Sequence, residues 1–254
     1  MINPVLSVEN FEKSFAGFQA VAGVSFTVAA GEMVALIGPN GAGKTTTFNM
    51  INGQTPIDRG TVLLEGRDVT GKSPRELWRE GVGRTFQITA AFVSMTVAEN
   101  VAIALIARDG HLSNLDNAAR VHHAEALLLL GEVGMRDAAG KICGTLAYGD
   151  LKRVELAMAL ASRPRLLLMD EPTAGMAPRE RSQLMTLAAG IARERGTAVL
   201  FTEHDMDVVF GYAARILVMN RGRLVAEGTP DAIRNNAKVR EVYLGTGGRG
   251  IGKR

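Results

Sequence analysis

The stretch Gly38-Pro39-Asn40-Gly41-Ala42-Gly43-Lys44-Thr45-Thr46 constrains this chain more than any other. It fits the pattern G-x-x-x-x-G-K-[ST]. Met33-Val34-Ala35-Leu36-Ile37 before it is a short apolar run suited to a buried strand, and Thr46 to Ile51 after it starts a helix that Gly53 would end. A strand, a glycine loop and a helix N-terminus form a phosphate cradle. Glycines let consecutive backbone N–H groups turn toward one anion, and the helix start adds free donors and the positive end of its dipole. Lys44 would reach the β- and γ-phosphates, and the Thr45 hydroxyl would ligate Mg²⁺. At a glycine usage of ~7%, the fixed positions coincide by chance in roughly one such chain in a hundred. The flanking strand and helix make nucleotide binding the reading to carry forward.

The 254 residues suffice for one α/β domain, or a core with a smaller lobe. Charged residues at 22% and hydrophobic ones at 46% are those of an ordinary globular protein, and a net charge of +3 offers no basic stripe for nucleic acid. Cys143 is the single cysteine, which excludes an intrachain disulfide and suits a reducing compartment. The apolar run Val101–Ala107 falls short of a membrane span, and Met1 to Pro4 lacks the regions of a signal peptide. A cytoplasmic chain that meets a membrane only from its edge is expected.

Val5–Glu9 and Val24–Val28 alternate like strands, with an aromatic loop, Lys13-Ser14-Phe15-Ala16-Gly17-Phe18, between them. Thr61–Glu65 is another strand, so the N-terminal quarter reads as antiparallel β interrupted by the phosphate helix. From about Ile88 to Arg163 the pattern is helical: Val97–Ala107, Asn117–Leu130 closed by Gly131, and Leu151–Ser162 stopped by Pro164. His111, His122 and His123 are expected to be solvated, having no metal-ligand spacing around them. From Arg165 onward, the strands Leu166–Met169, Ala198–Thr202 and Ile216–Met219 alternate with helices, implying a parallel sheet. The expected division is one unit over 1–245, with a core at about 1–87 and 164–245, a helical subdomain at about 88–163, and a flexible basic tail at 246–254.

Strand Leu166–Met169 delivers Asp170 and Glu171 at its carboxyl end, where open α/β sheets place their ligands. Asp170 suits the magnesium side, and Glu171 suits a water-orienting or deprotonating role. The next strand ends in Glu203-His204-Asp205, so His204 would stand at the same edge and sense a γ-phosphate. Phe15 and Phe18 compete for stacking on an adenine ring, or both simply cover the sheet.

Gly38–Thr46, Gln87 after Arg84-Thr85-Phe86, Leu146-Ala147-Tyr148-Gly149-Asp150, Leu166–Glu171 and His204 fall in an order that resembles the ATP-binding-cassette ATPases. The resemblance covers the chain to about Gly245. It implies a P-loop NTPase (RecA-like) core with an antiparallel β subdomain and an inserted α-helical subdomain, working with ATP and Mg²⁺. It also implies that Gln87 touches metal and water and links core to helical lobe, and that Phe15 matches the adenine-stacking aromatic better than Phe18. Leu146–Asp150 resembles the family signature, which caps the γ-phosphate held by the other subunit of a head-to-tail dimer. One phosphate loop and one signature are thus half of two composite sites. Closure on two ATP molecules would be driven by tighter binding to the closed state.

The chain departs from the family pattern in three places. Ala147 stands where the signature has serine, Asp150 where it has glutamine, and Ala177 where the loop after Glu171 ends in an acid. These departures weaken contacts made in trans, and they motivate a pairing with a different cassette and two unequal sites. In isolation a homodimer is the alternative. Glu227-Gly228-Thr229-Pro230, Ile233–Asn236, Val242-Tyr243-Leu244-Gly245 and the run Phe201–Met206 resemble the ATPases of branched-chain amino-acid importers. Such a subunit sits peripherally at the cytoplasmic face of the inner membrane. Its partners are two integral permeases and, indirectly, an extracytoplasmic solute-binding protein, with no nucleic acid. Urea or amide importers and the lipopolysaccharide-export ATPase remain alternatives. Cassettes that act on DNA or the ribosome are a different class; they carry long coiled coils or paired cassettes, and neither pattern is seen here. A GTPase would want an Asn-Lys-x-Asp motif, which is also not found.

Overall fold

A computed structural model describes residues 4–85, 91–109 and 115–244, with side chains described except at 115–120 and 242–244. The first half of the chain forms β1 (Leu6–Phe15), β2 (Phe18–Val28), β3 (Met33–Ile37), α1 (Lys44–Ile51), β4 (Arg59–Leu64), β5 (Arg67–Asp68), α2 (Pro74–Arg79) and β6 (Val82–Thr85). Three helices follow: α3 (Val97–Asp109), α4 (Leu115–Glu132) and α5 (Tyr148–Leu160). The chain then alternates β7 (Leu166–Asp170), α6 (Pro178–Arg195), β8 (Ala198–Thr202), α7 (Met206–Tyr212) and β9 (Arg215–Asn220). It closes on β10 (Arg223–Gly228), α8 (Pro230–Asn235) and α9 (Ala237–Leu244).

The central sheet has the order β10-β9-β3-β8-β7-β6. Every pair from β9 to β6 is parallel, and β10 is antiparallel on the edge. Each residue of β3, β7 and β8 is buried, as continuous apolar runs in a doubly covered parallel sheet require. Alternation sorts their side chains between two cores. Met33, Ala35 and Ile37 join Leu167, Met169 and Phe201 on the face covered by α3–α6. Val34 and Leu36 join Leu166, Leu168 and Leu200 on the other face, against α1 and the second sheet. That second sheet, β2-β1-β4-β5, is antiparallel throughout.

Several elements differ from their sequence reading. Lys13–Phe15 belongs to β1 and Phe18 opens β2, so the aromatic loop is only the turn Ala16-Gly17 of a long hairpin. α4 runs through Gly131 and ends at Glu132, with Gly134 taking the positive φ of 69° that a helix exit favours. Helix α2 carries a capping box between Ser73 and Glu76. Strand β6 has a weak apolar pattern, but Gly83 lets α5 close on it: an added Cβ would stand 3.0 Å from the Ala159 carbonyl oxygen. His122 is buried rather than solvated, with Nε2 3.5 Å from Asp109, whereas His123 is exposed. His111 lies outside the described residues.

The helical segment is tied together by one carboxylate. Glu125 on α4 accepts from both Nη atoms of Arg108 on α3, at 2.7 and 3.0 Å, and from Arg163 beyond α5 at 3.0 Å. Hydrogen bonds from Arg108, and then from Arg163, hold its carboxyl down at about 2. A carboxylate with a depressed pKa stabilises the fold fully above its ordinary titration range, and that contribution is lost as pH falls toward the folded value. Glu125→Gln should therefore lower stability at pH 7 by about 1 kcal/mol. In urea titrations the gap to the parent should narrow as pH falls from 4.5 toward 2. A gap unchanged across that window would remove the carboxylate's charge from the account.

Two long helices start without a side-chain cap. Ala147 precedes α5 and Ala177 precedes α6, and neither methyl group can accept from the first-turn N–H groups. At α6, Glu180 supplies half of a capping box by accepting from the Ala177 N–H at 3.0 Å. A serine or aspartate at each position should raise stability by about 1 kcal/mol. Chemical denaturation of Ala147→Ser and Ala177→Asp tests this, and no gain at either site would mean that those donors already have partners.

Candidate functional site

β3 rises through the sheet and emits the glycine loop at its carboxyl end. Gly43 has φ 100°, and a Cβ there would collide with the Ala20 carbonyl oxygen, so the loop requires glycine at this point. Gly43 is also the cap of α1 and has no side-chain acceptor to offer the helix. Backbone closure comes instead from the Thr47 N–H donating to the Gly43 carbonyl at 2.9 Å, and the Thr47 hydroxyl donates there too at 3.0 Å. The remaining first-turn donors suit an anion. Lys44 is buried and donates to the Gly38 and Pro39 carbonyls at 2.7 and 3.2 Å. Burial pushes its ammonium pKa down, while Glu171 and Asp170 hold it up.

Phe15, Phe18, Asn40 to Thr46, Glu171 and His204 line one cleft of about 350 Å³. Both phenylalanines are exposed at its mouth, and Lys13 Nζ lies 5.3 Å from the Phe15 ring centroid. Gly38 and Pro39 lie behind the lining and face Lys44 with their carbonyls. Larger hollows of 420 and 540 Å³ occur around Leu160 and between α3 and α4, but neither gathers loop amides with acids. Chemistry rather than size singles out the cleft.

β7 ends in Asp170, and Glu171 follows on the rim. Asp170 is buried; its Oδ1 accepts from the Thr202 hydroxyl at 2.7 Å and its Oδ2 lies 3.5 Å from Arg84. Arg84 also donates to Asn49 and Gln54, which ties β6 to the end of the phosphate helix. Glu171 has φ 45°, in the left-handed region that costs a side-chain-bearing residue about 1–2 kcal/mol. Its N–H is bonded to the Thr202 carbonyl at 3.2 Å and to the Thr202 hydroxyl at 3.0 Å. Its carboxylate stands 2.8 Å from His204 Nε2, joining an acid and an imidazole at the cleft wall.

Leu146, Ala147, Tyr148, Gly149 and Asp150 do not line this cleft. Leu146 and Ala147 lead into α5 and Tyr148, Gly149 and Asp150 form its first turn, with Tyr148 exposed. Gln87 lies outside the described residues. Three residues beside the site carry no role in the sequence reading: Arg84, Thr202 and Glu203. Glu203 is buried, accepts from the Thr173 N–H and hydroxyl at 2.9 and 2.6 Å, and also accepts from the His204 N–H. The available signal was their place in the runs already singled out, Arg84 before Gln87 and the other two before His204.

Residues 21–174 match the family model described as ABC transporter, and residues 223–249 match the one described as branched-chain amino acid ATP-binding cassette transporter. The chain is 39% identical to the high-affinity branched-chain amino acid transport ATP-binding protein BraF of Pseudomonas aeruginosa, covering 96% of this chain and 99% of that one. It is 35% identical to the lipopolysaccharide export system ATP-binding protein LptB of Haemophilus influenzae, over 95% and 97% of the two chains. In three dimensions it is similar to the ADP conformation of MJ1267, an ATP-binding cassette of an ABC transporter. The TM-score is 0.84 at 32% identity, over 95% of this chain and 99% of that one. The chain belongs to the ABC transporter family, as one of its ATP-hydrolysing cassettes.

Proposed function

We propose that this chain powers an importer of branched-chain amino acids. The carrying observation is the match of residues 223–249 to the branched-chain amino acid cassette model, downstream of a cleft that holds a phosphate loop, an acid and a histidine. Residues 1–245 are read as one cassette, with the core at about 1–87 and 164–245, the helical part at 88–163, and 246–254 as a tail. In the cleft, the loop from Gly38 to Thr46 cradles the phosphates and Lys44 neutralises the terminal ones. Phe15, which lies beside Lys13, is the platform for the adenine. Glu171 orients or deprotonates the attacking water, and His204 holds Glu171 and meets the γ-phosphate.

Hydroxyl and carboxylate oxygens are the hard donors that Mg²⁺ prefers, and Thr45 in the cleft and Asp170 beneath it fit that preference. Gln87 is the third candidate on the same resemblance. When bound, the ion would neutralise charge on the phosphates.

Leu146–Asp150 stand away from this chain's own cleft, which supports a role in trans, capping nucleotide on a second cassette. The uncapped Ala147 and Ala177, together with Asp150, favour a different chain as that partner, with two unequal sites. No helix among the described residues is long and apolar enough to cross a membrane. On the likeness to transporter cassettes, attachment to the cytoplasmic face runs through two permease subunits, with the extracytoplasmic binding protein beyond them. Phe92, Val93 and Ile142 are exposed and lie together: the Gly144 N–H donates to the Val93 carbonyl, and Thr96 bridges Ile142. This apolar patch is the proposed permease contact.

Glu171→Gln should reduce hydrolysis by about 10²–10⁴-fold with ATP affinity retained. Near-parental turnover would take Glu171 out of its role. Lys44→Ala should weaken ATP binding by about 10–100-fold, measured by equilibrium titration. Uptake of leucine, isoleucine, valine and urea by cells lacking this chain separates the importers. Loss confined to the three amino acids is expected, loss of urea uptake favours the amide reading, and an outer-membrane defect favours lipopolysaccharide export. Co-purification with ribosomes or DNA in place of permeases would overturn transport altogether.

A further inference from the structure

β8 delivers more to the site than His204. Its last residue, Thr202, is 1% exposed and stands between the two acids. The Thr202 hydroxyl donates its single proton to Asp170 Oδ1 at 2.7 Å, and its oxygen accepts from the Glu171 N–H at 3.0 Å. An ionised carboxylate only accepts and a backbone N–H only donates, so the bridging group must do both. A hydroxyl on a side chain of this size does so, and the isosteric valine does neither. The next residue acts in parallel: Glu203 ties Thr173, two residues past Glu171, to the His204 N–H. One strand end therefore straps both loops of the Glu171–His204 pair.

We propose that Thr202 is a positioning residue for hydrolysis, holding Glu171 in its left-handed backbone conformation so that its carboxylate meets His204 at the cleft wall. The physical reason lies in the φ of 45° at Glu171. A side-chain-bearing residue stays there only when its surroundings over-determine it. The Glu171 N–H is held twice by Thr202, once by the hydroxyl and once by the carbonyl at 3.2 Å. Removing the hydroxyl leaves the longer of these two bonds and deprives the buried Asp170 Oδ1 of its donor. Relaxation of Glu171 toward negative φ would swing its carboxylate off His204. A small misplacement of a group that orients water is costly in rate and leaves nucleotide affinity untouched. The inference rests on the role given to Glu171 above.

The test is ATP hydrolysis by the assembled transporter carrying Thr202→Val, Thr202→Ser, Glu171→Gln or the Thr202→Val/Glu171→Gln pair, with ATP affinity and melting temperature measured alongside. Thr202→Val is expected to lower kcat by about 10–100-fold, to leave ATP affinity within about twofold, and to be rescued by Thr202→Ser. In the Glu171→Gln background, Thr202→Val should change the residual rate by less than about twofold, because the group it positions is already gone. A crystal structure of Thr202→Val should show Glu171 out of the left-handed region. Turnover of Thr202→Val within about twofold of the parent overturns the proposal, as does an equal loss in both backgrounds, which leaves the Glu171 assignment standing. Parental turnover by Glu171→Gln alone overturns that assignment and this inference together. Should the valine variant not fold, Thr202→Ala carries the same comparison.

Discussion

A strand buried on both faces has no water to satisfy its backbone, so β3 must be hydrogen-bonded on both sides, and β8 and β9 supply those bonds in parallel. Parallel pairing forces every strand of the group to end at the same edge. Three side-by-side endings then converge there: the glycine loop after β3, Asp170 as the last residue of β7 with Glu171 following it, and His204 beyond β8. The site is a consequence of this edge, because no single loop could bring an anion cradle, an acid pair and an imidazole together. The two faces of the sheet do different work. One is sealed by the antiparallel sheet and α1, and the other carries α3–α6, which reach from the core to the stretch Leu146–Asp150.

Electrostatics at the edge are balanced by pairing. Lys44 is buried, yet the nearby Glu171 and Asp170 charges offset part of the cost of desolvating it. Asp170 in turn has Arg84 and the Thr202 hydroxyl as neighbours. A buried charge without such partners would be costly. The same hydrogen bonds that make the acids tolerable also orient them. Orientation and stability are thus served by one network, which is why a residue such as Thr202, with no chemistry of its own, becomes consequential.

Some features were legible because their signal is local. The glycine loop between a strand and a helix, and the buried strands Met33–Ile37 and Ala198–Thr202, appear where residue type and spacing place them. Local signals failed where a neighbour overrides them. Lys13–Phe15 looks like a loop by composition, but pairing with β2 extends it as strand. Gly131 looks like a helix end, but α4 continues across it as part of the helical layer and Gly134 makes the exit. Val82–Thr85 has too little apolar pattern to announce a strand, yet it pairs in parallel with β7, and the missing side chain of Gly83 leaves room for α5 to close over it. His122 is polar in sequence and buried in fact, since Asp109 across the α3–α4 pair gives it a partner.

The sequence by itself determined that this chain binds a phosphate, that acids and a histidine end apolar strands, and that it carries the ordered motifs of an ATP-binding cassette, because those properties reside in residue types at fixed spacing. Tertiary structure alone decided the rest. The 2.8 Å approach of Glu171 to His204, the positive φ of Glu171, the hydroxyl bridge of Thr202 and the clamp of Glu203 join residues about thirty positions apart. Their distances depend on strand register and sheet order, quantities set by long-range pairing and by the packing of two cores, and no window of sequence contains them.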